Sequence, residues 1–176
     1  IMEKELKNDV VSFKKKYKLI HKKVILFAGI KGIMKGALDV LQVLATMYRK
    51  NDMYTFVAIG HNTDEWISAT KLLNNDFLID LGYKEGKEKE VIFASCDIFC
   101  MPSKSDSFGQ VYLEAWHKKK PVIAADIPAM KELVENNNAG ILVPYGNHSL
   151  LEHAIKRLVE NPLISQSLGI NGYNAV

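Results

Sequence analysis

Val24-Ile-Leu-Phe-Ala28, the turn Gly29-Ile-Lys-Gly-Ile-Met-Lys35-Gly36, the amphipathic segment 37–49 and then Tyr54-Thr-Phe-Val-Ala-Ile59 form the stretch that decides the fold. A short β-branched apolar run, a glycine turn, a segment with helical periodicity and a second apolar run together make one βαβ unit. Working outward, further apolar runs stand at 77–80, 98–101, 122–124 and 140–143, with helical patterns at 64–73, 87–95, 110–117, 129–135 and 150–160. In the last of these Leu150, Leu151, Ala154, Ile155, Leu158 and Val159 make one apolar stripe. Asn147 or Ser149 caps its start, the latter with Glu152 in a capping box, and Asn161-Pro162 closes it. Six strands apolar enough to be buried on both faces predict an α/β domain, a doubly wound six-stranded parallel sheet of Rossmann-like type. Topology then puts a ligand in the crevice at the carboxyl ends of the strands.

The composition agrees with that class. The chain has 176 residues, 48% of them hydrophobic, with 23 Lys and Arg against 20 Asp and Glu. These values exclude disordered, collagenous and coiled-coil chains. No apolar run approaches the ~18–20 residues that span a bilayer. Cys96 and Cys100 have no Cys or His partners at metal spacing, so neither a disulfide framework nor a zinc site is expected, and a reducing, cytoplasmic setting is. Eight lysines (4, 7, 14, 15, 16, 18, 22 and 23) face only Glu3, Glu5 and Asp9 in the first 23 residues. This excess suits an anionic membrane surface at the cytoplasmic face, or, more plainly, a solvated helix face. No aromatic residues interleave the lysines in the manner of a nucleic-acid site. Residues 1–23 read as a basic lead-in from a preceding domain and 24–176 as one domain. A start at Ile1 and a close in a helical stretch without a stop signal read as one part of a longer protein.

Two segments could carry chemistry. The turn from Gly29 to Gly36 leads into a helix and suits an anion, with Lys35 at the helix start, although it also reads as an ordinary turn. It is neither a dinucleotide fingerprint nor a P-loop. Met101-Pro-Ser-Lys-Ser-Asp106-Ser-Phe-Gly109-Gln-Val-Tyr-Leu-Glu114-Ala again leads from a strand into a helix. Glu114, framed by Val111, Leu113 and Ala115, is either a surface helix acid or a bidentate acceptor for vicinal hydroxyls; Asp106 is either that or a helix cap.

Taken together these segments resemble the C-terminal, donor-binding half of the retaining glycosyltransferases of family 4, enzymes of the two-domain GT-B fold. The resemblance covers roughly residues 17 to 170. Its strongest part is Met101-Pro-Ser…Asp106-Ser-Phe-Gly-Gln-Val-Tyr-Leu-Glu114-Ala…Lys120-Pro-Val-Ile-Ala-Ala-Asp126, similar to the family's acid, seven residues, Glu motif and the strand that follows. Ala139-Gly-Ile-Leu-Val-Pro144-Tyr-Gly-Asn147 is similar to the family's Gly-Leu-Leu-Val-Pro-x-Gly-Asp turn, and Phe27-Ala-Gly29…Lys35-Gly36 has the spacing of its first-strand motif.

The resemblance implies a nucleoside diphosphate sugar as co-substrate, no further cofactor, no metal, and transfer with retention to an acceptor in glycan biosynthesis. It implies that Glu114 accepts from the ribose hydroxyls and Asp106 contacts the transferred sugar. Phe108, Gly109 and Gln110 would present backbone N–H groups to sugar and phosphate oxygens, and Gly29 would line the diphosphate. Lys35 would neutralise the departing diphosphate. Leu81-Gly82-Tyr83-Lys84 resembles the segment lining the base, which puts Tyr83 in the donor set. Three departures stand out: Ile30 where the family usually has Arg, with Lys31 beside it as a partial replacement; Asp106 where Glu is usual; and Ile127-Pro128-Ala129 in place of a Gly-Gly turn. The implied partner is an N-terminal acceptor domain, without which this half is expected not to turn over. The alternative is a non-catalytic nucleotide-binding or scaffold module of the same fold.

Overall fold

The computed structural model describes residues 2–73, 76–105 and 109–176. Each apolar run is a strand: β1 (Lys23–Ala28), β2 (Tyr54–Ile59), β3 (Leu78–Asp80), β4 (Ile98–Met101), β5 (Val122–Ala125) and β6 (Gly140–Val143). They form one all-parallel sheet in the order β3-β2-β1-β4-β5-β6. β2 is buried throughout and β1 beyond its first residue, as central strands covered on both faces must be. Val24 stands opposite Thr55 and Phe27 opposite Ala58, while on the other side Ile25 meets Ile98 and Leu26 meets Phe99. The order reverses between β1 and β4, and a crevice opens beyond the carboxyl ends of these strands.

The helices are α1 (Met2–Lys16), α2 (Ala37–Lys50), α3 (Asp64–Lys71), α4 (Gly86–Ser95), α5 (Gln110–His117), α6 (Pro128–Met130), α7 (His148–Glu160) and α8 (Pro162–Ala175). α2 packs against α3 and α7 to form one layer; α1 on α4, α4 on α5 and α5 on α8 form the other. α2 buries Val40, Leu41, Leu44 and Met47, residues three or four apart that line one helical face. Asn147 caps α7 by accepting from the Leu150 N–H at 3.0 Å. Glu152 plays no capping part and instead receives Lys156 and Lys50 of α2. α8 reaches α5 at Gly172, where a Cβ would lie 2.0 Å from Cδ1 of the buried Trp116. That indole is fixed by its donation to the Ala139 carbonyl at 3.0 Å, so only glycine lets the helices approach.

Two segments differ in detail from expectation. The pattern at 129–135 folds as the single turn α6, started by Pro128 and continued by the wider π turn Lys131–Glu135. The basic segment before β1 joins the outer layer. Phe13 and Tyr17 of this segment, 4.8 Å apart, pack against the core, Leu19 lies inside it, and Lys87 of α4 bridges Glu5 (2.9 Å) and Asp9 (3.0 Å). Lys4, Lys7, Lys15, Lys16 and Lys18 face solvent. No described helix is long and apolar enough to cross a membrane.

Candidate functional site

Loops from five strands, β1, β2, β3, β4 and β6, meet at the carboxyl end of the sheet. After β1 the chain runs from Gly29 through a 3₁₀ turn, Ile33–Lys35, into α2. The loop after β2 lies directly beneath it: the Gly29 N–H donates to the Ile59 carbonyl (3.0 Å) and the Lys31 N–H to that of His61 (2.8 Å). Gly60 makes this approach possible. Its φ is +124°, and a Cβ there would fall 1.8 Å from the Gly29 carbonyl oxygen. The Gly60 N–H in turn donates to the Gly82 carbonyl at 2.8 Å, which ties in the loop after β3.

The loop after β4 is stitched to the first loop from the other side. The Lys104 N–H donates to the Met34 carbonyl (2.9 Å), and Lys35 Nζ to that of Ser105 (3.2 Å). Lys35 thus stands against the segment entering 106–108. Asp106 and Phe108, both assigned to the site from sequence, lie outside the described residues. Gly109 follows at φ 60° and Gln110 opens α5, with the Gly109 carbonyl accepting from the Tyr112 (2.9 Å) and Leu113 (3.3 Å) N–H groups. The Tyr145 hydroxyl, from the loop after β6, donates to the Ile33 carbonyl at 2.8 Å.

A crevice of about 200 Å³ lies between these loops, lined by Gly29, Ile30, His61, Tyr83, Lys89 and Val111 among others. The rings of His61 and Tyr83 stack at 4.9 Å and 19°. Glu114, one helical turn beyond Val111, is half-buried, and Lys89 of α4 donates to its Oε1 at 2.7 Å. The same nitrogen is 2.7 Å from Oε2, which is buried and accepts no hydrogen bond among the described residues. Lys89 thus pairs with both oxygens, while the Glu114 side chain as a whole stays 40% exposed. Ile30, Ile33 and Met34, each more than half exposed, form an apolar rim. A larger cleft of about 750 Å³ runs along the β6 edge past Lys131, Arg157 and Leu163 and shares no lining residue with the crevice.

The structure brings Gly29 and Tyr83 to one crevice, sets Glu114 beside it through Lys89, and places Lys35, Gly109 and Gln110 at adjoining loop and helix ends. Lys31 departs from expectation. Its side chain is wholly buried, its ammonium bonds the Asp80 carboxylate and lies 5.5 Å from the Trp66 ring centroid, and it offers no charge to the crevice. The physical reason is that a buried ammonium requires a carboxylate partner, which the end of β3 provides. Sequence reasoning missed His61, Lys89 and Asp80. A charged residue closing the apolar run 77–80 was the one signal for Asp80; Lys89, in the alternating charges of 87–90, carried none. Among the described residues no group of three or more His, Cys, Asp or Glu could hold a metal ion.

Residues 11–175 match the family described as Glycosyl transferases group 1. Over 143 residues the chain is 26% identical to a phosphatidyl-myo-inositol mannosyltransferase of Mycobacterium leprae, covering 81% of this chain and 38% of that protein. The chain spans about a quarter to two fifths of the length of the first curated relatives it matches. Among solved structures, the C-terminal domain of a glycosyl transferase group 1 family protein (LpcC) from Francisella tularensis superposes with a TM-score of 0.79 at 23% identity, over 92% of this chain and 88% of that one. Anabaena Alr3699/HepE, solved in complex with UDP, gives 0.83 at 21% identity over 95% of this chain and 47% of that one. The fold is that of the C-terminal domains of GT-B glycosyltransferases, and the chain belongs to the group 1 glycosyl transferases.

Proposed function

We propose that this chain is the donor-binding part of a retaining, metal-independent glycosyltransferase that takes a sugar from a nucleoside diphosphate sugar. The observation that carries the proposal is the crevice at the sheet's reversal point, with a half-buried carboxylate, Glu114, at one side and Lys35 and the α5 start at another. Family membership supports it, as do relatives solved with UDP and with UDP-glucose.

Each residue then has a distinct task. Glu114 accepts from the ribose hydroxyls, each charged hydrogen bond contributing ~1.5–3 kcal/mol. Tyr83, with His61 stacked on it, presents an aromatic face to the base. Gly29 and the backbone N–H groups at Gly109 and Gln110 approach the diphosphate, where the helix end favours negative charge. Lys35 stabilises the charge that grows on the diphosphate as the glycosidic bond breaks. Asp106 and Phe108 contact the sugar. An N-terminal acceptor domain brings the nucleophile, so this part alone binds donor without turnover. The exposed lysines of α1 suit an anionic membrane surface as a second partner, which cosedimentation with anionic vesicles at low salt tests.

The test is a thermal-shift screen against UDP, GDP, ADP and TDP, each with and without its sugar, repeated on Glu114→Ala. At 100 times its dissociation constant a ligand stabilises by about 2.7 kcal/mol. At ~2–4 °C per kcal/mol for a chain of this size, the midpoint rises by roughly 5–10 °C. A shift with one base that disappears in the variant is expected, whereas a flat screen refutes donor binding. The scaffold alternative fails if the longer protein transfers sugar and Glu114→Ala abolishes that transfer.

A further inference from the structure

We propose that the Lys31–Asp80 pair, a wholly buried ammonium on a partly exposed carboxylate, is a positioning device for the base-facing wall of the crevice, acting through the loops after β2 and β3; the inference rests on the donor-site reading above. Lys31 ties its own loop to the loop after β2 and to the end of β3. Its N–H donates to the His61 carbonyl at 2.8 Å, its carbonyl accepts from the Thr63 hydroxyl at 2.8 Å, and its ammonium reaches Asp80. Asp80 passes the constraint on: Oδ1 also accepts from the Gly82 N–H at 3.0 Å, next to Tyr83, and Oδ2 accepts from the Trp66 Nε1–H at 2.7 Å. Trp66 is fully buried and anchors this assembly to α3.

The two rings that line the crevice sit at the ends of these connections. His61 is exposed and Tyr83 is 58% exposed, so neither is held by core packing. Their stack therefore depends on where the backbone at His61 and Gly82 is fixed, and Lys31 and Asp80 fix both. Lys31 is wholly buried while the Asp80 side chain is 26% exposed, so the desolvation cost falls on the ammonium and offsets much of its attraction to the carboxylate. What the ion pair adds is direction: hydrogen bonds at defined atoms of two loops. Lys31 and Asp80 touch no substrate and are positioning residues.

The test compares Lys31→Met/Asp80→Asn, which leaves no unpaired buried charge, with the unaltered protein for UDP, GDP, ADP and inorganic pyrophosphate by calorimetry. Hydrogen exchange at the Gly82 amide is measured alongside. The expected result is a roughly tenfold loss of affinity for the preferred nucleoside diphosphate, unchanged pyrophosphate affinity and faster Gly82 exchange. Trp66→Phe, which removes the indole bond to Asp80 and trims a buried ring packed on Phe56 and the Lys31 ammonium, should give a smaller loss of the same pattern and serves if the double variant does not fold. Unchanged affinity for the preferred nucleoside diphosphate in a folded variant overturns the inference and leaves the donor site standing. Equal losses for nucleotides and pyrophosphate overturn it too, since they report a general loosening of the loops. If the unaltered protein binds none of the four probes, the donor reading fails and takes the inference with it.

Discussion

Replacing Glu114 by Gln separates binding from folding. The side chain keeps its size and loses its charge, so the ribose hydroxyls meet a neutral acceptor in place of a carboxylate. The loss of one charged hydrogen bond is worth ~1.5–3 kcal/mol, which at about 1.4 kcal/mol per decade is a 10- to 150-fold weaker dissociation constant. The fold should notice far less. Lys89 and Glu114 are 27% and 40% exposed in their side chains, and partly solvated pairs of this kind contribute ~0–1 kcal/mol. The unliganded midpoint should therefore move by no more than about 4 °C. Calorimetry with the nucleoside diphosphate found in the thermal screen, at fixed pH and salt, reads the first number, and a melt without ligand reads the second. Unchanged affinity in a folded variant refutes the role of Glu114. A loss of affinity matched by wholesale destabilisation refutes the argument that the pair is dispensable to the fold.

Three other outcomes follow from the packing. Gly172→Ala forces a methyl into the Trp116 ring and should cost ~1–3 kcal/mol, read as a lower denaturant midpoint with unchanged slope. Burial lifts the Cys96 thiol to about 12 and pushes Cys100 up as well, so both should resist a disulfide reagent at pH 8 until denaturant is added. The hydrogen bond from Lys156, with a further one from Lys50, holds the Glu152 carboxyl below its ordinary value. Its contribution is complete above the unfolded value of ~4.3 and fades as pH falls through the lower folded one. Melts from pH 6 to pH 3 should show Glu152→Gln less stable at the upper end and converging with the unaltered protein at the lower.

The sheet was legible because each of its six strands is a short apolar run between turn residues; the four inner strands are buried on both faces and show no polar alternation, while the edge strands β3 and β6 are only partly buried. The cap of α7 was legible as one of two candidates, Asn147 and Ser149, ahead of an apolar helical stripe, and Asn147 is the one that accepts from the Leu150 N–H. What was not legible depends on distance along the chain. Lys31 read as a loop lysine free to meet a phosphate, because its partner Asp80 lies 49 residues away. Lys89 and Glu114 are 25 residues apart and belong to different helices, so their pairing follows only from the packing of α4 on α5. The basic count before Lys23 concealed that Phe13, Tyr17 and Leu19 share one inward side. The glycine at position 60 left a trace in the sequence only as the end of an apolar run, yet the backbone of Gly29 passes within the volume of its missing side chain.

The most direct test of the donor-site account is a crystal structure of the chain with the nucleoside diphosphate that stabilises it. The account predicts the ribose hydroxyls on Glu114, the base against Tyr83, and the diphosphate between Gly29, Lys35 and the start of α5. Nucleotide seated in the β6-edge cleft beside Arg157, or bound with Glu114 still closed by Lys89 and remote from the ribose, would contradict it.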